Sequence, residues 1–349
     1  MRLNLLVPAL GALCVLVQPA VCQDQAARTF AAHVSIAVEP RGNLGLSVAP
    51  APPSIRVDSM LVLIPVMVTD RFNRLVTGLG RDNFKLFDES IEQNIVSFSS
   101  DDAPMSIGLV FDCSGSMENK MGRSRAAVAQ FLAIANPEDE FFLVQFNSQA
   151  RLVQPFTAHA EDIQDRLAAT HAKGATALFD AVHLAISEMK NAKNPRRALL
   201  IVSDGGDNNS RYTQAEIKSS VKEADLQIFA IGIHEPRDPR WPAAEELAGP
   251  GMLAGLSEQT GGRLYPVKKI EELPEVAATI GQALRSQYIL GFAPPSLPHS
   301  GKYRRVEVKV IWPKGPERPR AFWRHGYYAP AEPGGAGGAL HLDTAPATD

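Results

Sequence analysis

Cysteine is scarce in this 349-residue chain, which has only Cys14, Cys22 and Cys113. The first two lie in an N-terminal segment that we expect to be removed, so the mature chain would keep Cys113 alone. A single cysteine forms no internal disulfide, which excludes a disulfide scaffold for the mature chain. Zinc is disfavoured too, since the eight histidines form no pair at ligand spacing.

The chain also has no large excess of acidic or basic residues, and after its N-terminal segment it has no long apolar run. The formal net charge is −3, and no segment is dominated by lysine and arginine, so nothing indicates nucleic-acid binding. After residue 22, no stretch approaches the roughly 20 apolar residues that a membrane span needs. With 45% hydrophobic and 21% charged residues, the composition is typical of a globular protein with a core.

The N-terminal stretch "MRLNLLVPALGALCVLVQPAVCQ" combines one positive charge, Arg2, with an apolar core. Small residues precede Gln23, where we expect cleavage. This pattern predicts a signal peptide over residues 1–22 and export to the periplasm or the extracellular space. A lipoprotein acylated at Cys22 fits less well, because Pro19 stands where leucine is usual. An uncleaved anchor also fits less well, because the apolar run is short.

Four further segments differ in composition. Residues 23–54 mix alanine, glycine and proline without a period, and we interpret them as a linker or weakly ordered arm. Residues 55–103 and 288–329 alternate apolar and polar positions, which predicts two β-rich pieces that pack together as a β-sandwich-like domain. Residues 330–349 are rich in glycine, alanine and proline, which predicts a disordered tail.

Residues 104–287 change to strands that alternate with helices. This order predicts an α/β, doubly wound, mostly parallel sheet with helices on both faces, inserted into the β-sandwich-like domain. Thr213 and Glu216 fit a capping box at one helix start. The tripeptide 249–251, Gly-Pro-Gly, predicts an interruption in a later helix.

Polar residues follow two of the buried strands, at "VFDCSGS" and "IVSDGGDNN", and "KGATALFD" opens a helix between them. The carboxyl ends of parallel strands form one edge, where such folds bind ligands. Alternate residues of an extended turn point the same way. The sequence therefore predicts an oxygen-lined site for a hard divalent cation, made by Asp112, Ser114, Ser116, Thr176 and Asp204.

Each of these residues alone has an ordinary alternative. Ser116 and Thr176 are plausible helix caps, and Asp204 is a plausible turn residue. Other chemistries fit worse. A nucleophile elbow needs glycine at position 112, a Walker loop is missing, and an aspartyl phosphatase needs a carboxylate at position 114.

Together, "DCSGS", the threonine of "GATAL" and the aspartate of "SDGGD" resemble the metal-ion-dependent adhesion site of von Willebrand factor type A domains. The flanks "VTDRFNRLVTGLGRDNFKLFDE", "IVSFSSDDAP", "LRSQYILGFAP", "GKYRRVEVKV" and "HGYYAP" are similar to an exported von Willebrand A-related bacterial subfamily, common in Acidobacteria. The resemblance covers most of the mature chain.

The resemblance implies that Ser114, Ser116 and Thr176 bind the ion directly or through water, with Asp112 and Asp204 supporting it. Mg²⁺ is the expected ion, with Mn²⁺ or Ca²⁺ as alternatives. An open coordination position would accept an aspartate or glutamate of a protein partner.

Four residues near these motifs need separate interpretation. We expect Cys113 to point into the core as a small buried hydrophobe. Asp207 is a candidate for a second site, although a turn residue is the simpler interpretation. His171 and His183 are the histidines nearest Thr176 in sequence, and His183 is expected to be structural.

Three functions follow. The first is an exported, metal-dependent protein-binding module for adhesion or assembly, without enzymatic activity. The second is a metal-dependent hydrolase at the same ion, which needs a general base nearby. The third is a structural assembly protein in which the metal only stabilises the fold.

Overall fold

The computed structural model describes residues 61–234, 244–294, 301–312 and 319–329. The predicted signal peptide (1–22), linker (23–54) and tail (330–349) lie outside the described residues. Within the described ranges, no helix has both the length and the apolar character needed to cross a bilayer.

A six-stranded sheet forms the centre of the α/β part. Its strands are β5 (Met105–Asp112), β6 (Glu140–Phe146), β7 (Ala150–Thr157), β8 (Arg196–Ser203), β9 (Gln227–Ile233) and β10 (Leu264–Val267). The spatial order is β10-β9-β8-β5-β6-β7, and all pairs are parallel except the β6–β7 hairpin. The central strand β5 is buried along its whole length, which explains its nearly continuous apolar sequence.

In the described ranges, six α-helices cover both faces of this sheet: α1 (Met121–Leu132), α2 (Ala160–Ala168), α3 (Leu178–Glu188), α4 (Gln214–Glu223), α5 (Ala244–Glu258) and α6 (Leu273–Arg285). One apolar cluster joins the sheet to α1, α2 and α6, and a second joins it to α3, α4 and α5. The predicted capping box is present at α4, where the Thr213 hydroxyl accepts from the Glu216 backbone N–H.

The flanking segments form two antiparallel sheets. The first has the order β13-β1-β11-β4 and the second β14-β12-β2-β3. These strands are β1 (Val62–Thr69), β2 (Phe84–Asp88), β3 (Ile91–Gln93), β4 (Ser97–Ser99), β11 (Tyr288–Phe292), β12 (Tyr303–Val310), β13 (Arg320–Trp323) and β14 (Gly326–Tyr328). A third apolar cluster draws on both sheets, including Ile64, Leu86, Tyr288 and Val308. The predicted fold class, a doubly wound α/β sheet inserted into a smaller β-sandwich, is confirmed.

The predicted interruption at residues 249–251 is wrong. Helix α5 continues through Pro250, although an internal proline removes a backbone donor and normally breaks a helix. Tertiary packing explains the difference, because Leu253 and Leu256 are fully buried in the second apolar cluster. The backbone of Gly249 also lies directly against Gly205, leaving no room for a side chain at either position.

Candidate functional site

Asp112 is the last residue of β5 and is fully buried at the carboxyl edge of the sheet. Its Oδ1 accepts from the Ser114 backbone N–H at 2.8 Å, and its Oδ2 accepts from the Ser203 hydroxyl at 2.6 Å. Ser203 ends the neighbouring strand β8. The carboxylate is therefore held between two adjacent strand ends rather than exposed on a turn.

The two predicted serine ligands lie immediately beyond it. Ser114 is buried, and Ser116 is half-buried inside a short 3-10 helix, Gly115–Lys120. Their hydroxyl oxygens are 3.0 Å apart and share a hydrogen bond. Neither acts as a side-chain cap: Ser114 takes the N-cap position of the 3-10 helix without a capping bond. Both hydroxyls are therefore left at the sheet edge.

The loop that carries Thr176 lies against this turn. The Gly115 N–H donates to the Gly174 carbonyl at 2.9 Å, and the Lys173 N–H donates to the Cys113 carbonyl, also at 2.9 Å. Gly174 has a φ of +83°, which glycine adopts without strain, and Ser148 fills the space where a side chain would stand. These contacts bring buried Thr176 to the edge that Asp112 and Ser114 occupy.

The loop after β8 fixes Thr176 from the other side. The N–H groups of Asn208 and Asn209 donate to the Thr176 carbonyl, at 3.0 and 3.1 Å, and the Asn208 side chain accepts from the Thr176 N–H at 2.9 Å. Thr176 is not the cap of α3, since Asp207 and Ser210 accept hydrogen bonds from the Phe179 N–H at the start of that helix. Asp207 thus has a structural role as a helix cap from a neighbouring loop.

Asp204 directly follows β8, next to the end of β5. Its Oδ2 pairs with the Lys120 ammonium at 3.0 Å, and both side chains are about nine-tenths buried. The following residue, Gly205, has a φ of +90° and packs on Gly249 of α5. The close backbone contact between these glycines sets the path of the loop as it leaves Asp204.

Burial raises the pKa of Asp112 to about 6, and the nearby charge of Asp204 acts in the same direction. Hydrogen bonds from Ser203 and Ser114 oppose this shift. Asp112 and Asp204 are thus two carboxyl groups close to each other at an edge that is largely closed to water. A divalent cation would offset this repulsion.

The single described cysteine behaves as a buried group. Cys113 lies in the first apolar cluster, and its thiol donates to the Phe146 carbonyl, with 3.1 Å between sulfur and oxygen. Burial raises the pKa of the thiol to about 11, and the charge of Asp112 adds to the shift. The thiol therefore stays protonated and unreactive at neutral pH.

Neither predicted histidine contributes to the edge. His183 stacks on Tyr212, with 4.1 Å between the ring centroids, and His171 is exposed. His234, which directly follows β9, interacts electrostatically with Asp204 and Lys120 of the site. Burial lowers its pKa, Lys120 acts in the same direction, and Asp204 raises it. Its Nε2 is buried and has no hydrogen-bond partner among the residues that the structure describes.

The donor set fits a hard divalent cation. Hydrogen bonds join the connections that carry Asp112, Ser114, Ser116 and Thr176 at one edge of the sheet, and Asp204 directly follows the neighbouring strand there. All five predicted residues offer oxygen, the ligand type that Mg²⁺ prefers. In the described part of the chain, no group of three or more histidine, cysteine or acidic side chains is placed to hold a metal. A metal here would therefore depend on hydroxyl oxygens, with two carboxylates supplying the charge.

Sequence reasoning missed Lys120 and His234. The rule that strand ends meet at one edge was sufficient to find His234, because it follows β9 as directly as Asp204 follows β8. No comparable signal identified Lys120, since a lysine eight residues after Asp112 in a polar stretch suggests a solvated side chain.

Comparisons with known proteins find similarity to parts of the chain. Residues 107–206 match a family model described as the von Willebrand factor type A domain. The chain is 28% identical to the inter-alpha-trypsin inhibitor heavy chain H4 of Sus scrofa in an alignment of 143 residues that covers 37% of this chain. It is 23% identical to an uncharacterized protein of Borreliella burgdorferi in an alignment of 182 residues that covers 46% of this chain.

The chain spans 16% of the length of the first of these relatives and 53% of the second. Among solved structures, a von Willebrand factor type A protein from Catenulispora acidiphila is similar at 14% identity, with a TM-score of 0.45. That similarity covers 79% of this chain and 75% of the other.

Proposed function

The chain contains a von Willebrand factor type A domain, and we propose that this domain is an exported, divalent-metal-dependent protein-binding module for adhesion or assembly. Ser114, Ser116 and Thr176 would hold Mg²⁺, or Mn²⁺ or Ca²⁺ in its place, with Asp112 and Asp204 in support. An aspartate or glutamate of a protein partner would complete the coordination of the ion.

One observation carries the proposal: residues from three separate connections meet at the carboxyl edge of the sheet. The turn after β5 bonds to the Thr176 loop through the Gly115–Gly174 contact, and the Thr176 loop bonds to the Asp204 loop through Asn208. The sequence adds an N-terminal segment with the features of a signal peptide, which supports export.

The composition of the site suggests how a partner would bind. Hydroxyls are neutral ligands, so an ion held mainly by Ser114, Ser116 and Thr176 keeps much of its positive charge. Mg²⁺ also retains several waters when a protein binds it. A partner carboxylate that replaces one water would gain a charge-assisted contact, which gives the module its selectivity for acidic side chains.

The hydrolase alternative has less support. It needs a general base within reach of the substrate. His183 stacks on Tyr212 and His171 is exposed. His234 lies near Asp204 and Lys120, but its Nε2 is buried rather than open to a substrate. The structural alternative predicts a metal-dependent gain in stability, but so does the binding proposal. Partner binding is therefore the measurement that separates them.

The first test is binding of Mn²⁺ alone, measured by electron paramagnetic resonance on the purified full chain. We expect one bound ion that is lost in Thr176→Ala, which removes a ligand hydroxyl while leaving the backbone bonds of this loop in place. Asp165→Ala, at an exposed acid on α2, is the matched control and should bind as the unmodified protein does. Equal Mn²⁺ binding by the unmodified protein and Thr176→Ala would contradict the proposed ligand set.

The second test is partner capture from the exported fraction of the native source, with Mg²⁺ or with chelator. We expect a partner retained with Mg²⁺ and lost with chelator, and lost again in Asp112→Ala with Mg²⁺ present. Capture by Asp165→Ala should equal that of the unmodified protein. A partner that binds equally well in chelator and to Asp112→Ala would show that the site is not the contact.

A further inference from the structure

Lys120 is a buried lysine at the edge of the candidate site. It ends the 3-10 helix Gly115–Lys120 and is 7% exposed. Its ammonium lies 3.0 Å from Asp204 Oδ2, and the Asp204 side chain is 12% exposed. Lysine is almost never buried at this level without a charged partner, so this ion pair is a specific feature of the site.

The ammonium and a divalent cation draw on the same carboxylate. With both acids ionised, Asp112 and Asp204 supply two negative charges, and Lys120 cancels one of them before any ion binds. Burial at the sheet edge strengthens these interactions relative to bulk water. The lysine therefore repels an incoming cation and also occupies an oxygen that would support it.

We propose that Lys120 is a built-in competitor that weakens divalent-cation binding at the site and couples it to partner binding. The inference rests on the proposed function. The lysine leaves the site with too little negative charge to hold the ion tightly by itself. A partner carboxylate restores that charge, so ion and partner bind cooperatively, and each raises the affinity of the other by the same factor.

The test titrates Mn²⁺ into the full chain and three variants. Lys120→Met removes the charge, and we expect Mn²⁺ affinity to rise at least tenfold, which equals about 1.4 kcal/mol. Lys120→Arg keeps the positive charge and should retain the weak affinity of the unmodified protein. Lys190→Met removes an exposed lysine near the opposite edge of the sheet and should leave the affinity unchanged.

A second readout separates competition from damage to the fold. In chelator, Lys120→Met should melt at a lower temperature than the unmodified protein, because Asp204 loses its partner in a buried position. On addition of Mn²⁺, its melting temperature should rise by more than that of the unmodified protein. Lys120→Gln, which retains a hydrogen-bond donor without the charge, gives the same comparison if the methionine variant fails to fold.

The outcomes distinguish this inference from the proposed function. If the unmodified protein binds Mn²⁺ and the neutral variants bind it equally or more weakly, Lys120 is a supporting residue and the inference is wrong. If neither the unmodified protein nor the neutral variants bind Mn²⁺, the proposed metal site is wrong, and the inference fails with it. Weak binding by the unmodified protein that becomes tighter in the neutral variants supports both.

Discussion

Asp112 is a fully buried carboxyl group that is difficult to ionise, because burial removes it from water and the charge of Asp204 lies nearby. In the folded protein its pKa is about 6, compared with an ordinary value of 3.8. The folded state therefore binds a proton more tightly than the unfolded state does. Ionisation of Asp112 therefore lowers the free energy of unfolding as the pH rises from about 4 to about 6. The whole decrease is present above about pH 6.

This shift gives a pH prediction for the protein in chelator. A change of about two pKa units corresponds to roughly 3 kcal/mol. We expect the free energy of unfolding, measured by chemical denaturation, to fall by about this amount between pH 4 and pH 7 relative to Asp112→Asn. The amide cannot ionise, and it can keep hydrogen bonds to Ser114 and Ser203. Parallel pH profiles for the two proteins would contradict the assignment of the shift to Asp112.

At the scale of the element, strand β5 is confined by its neighbours on both sides. Gly108 stands opposite Phe142 of β6 and Leu199 of β8. A Cβ placed on Gly108 would lie 2.2 Å from Phe142 Cζ and 2.5 Å from Leu199 Cδ2. The glycine thus gives space to two large side chains in the layer between the sheet and its helices.

We therefore expect Gly108→Ala to destabilise the fold by about 1–3 kcal/mol, the usual cost of overpacking a filled core. Gly122→Ala is the matched control, because Gly122 is exposed near the start of α1 and an added Cβ meets nothing within 4 Å. That change should stabilise the protein by about 0.5 kcal/mol, since alanine is the better helix former. Chemical denaturation of both variants measures the difference, and equal stabilities would contradict this packing argument.

At the scale of the whole molecule, the β-sandwich joins segments that are more than 200 residues apart. Arg304 of β12 donates to Asp88 of β2, with contacts between 2.8 and 3.0 Å, and the Tyr327 hydroxyl of β14 donates to the same carboxylate at 3.1 Å. Asp88 is fully buried. These contacts tie the C-terminal strands to the N-terminal ones across the inserted α/β part.

Arg304→Met should cost about 3–5 kcal/mol of unfolding free energy, because it leaves a buried carboxylate without its cation. Arg305→Met, at the exposed neighbouring position, should change stability by less than about 0.5 kcal/mol. Denaturant titrations followed by tryptophan fluorescence would measure both, since Trp323 and Trp312 pack against the sandwich core. A small loss in Arg304→Met would show that the carboxylate finds another partner or water.

Local sequence patterns determined which elements form and which residues reach the edge of the sheet. Buried strands are continuous apolar runs, the Thr213 capping box marks a helix start, and the polar residues after β5 and β8 mark strand ends. Because parallel strands place their carboxyl ends together, these signals were enough to predict a shared site for Asp112, Ser114, Ser116, Thr176 and Asp204.

Only the tertiary structure decided the features that depend on distant contacts. Helix α5 continues through Pro250 because packing of Leu253 and Leu256 outweighs a local breaker. Lys120 is buried because Asp204, 84 residues away, supplies its counter-ion. Neither outcome can be derived from neighbouring residues, since burial and electrostatic pairing depend on which groups the fold brings together rather than on their order in the chain.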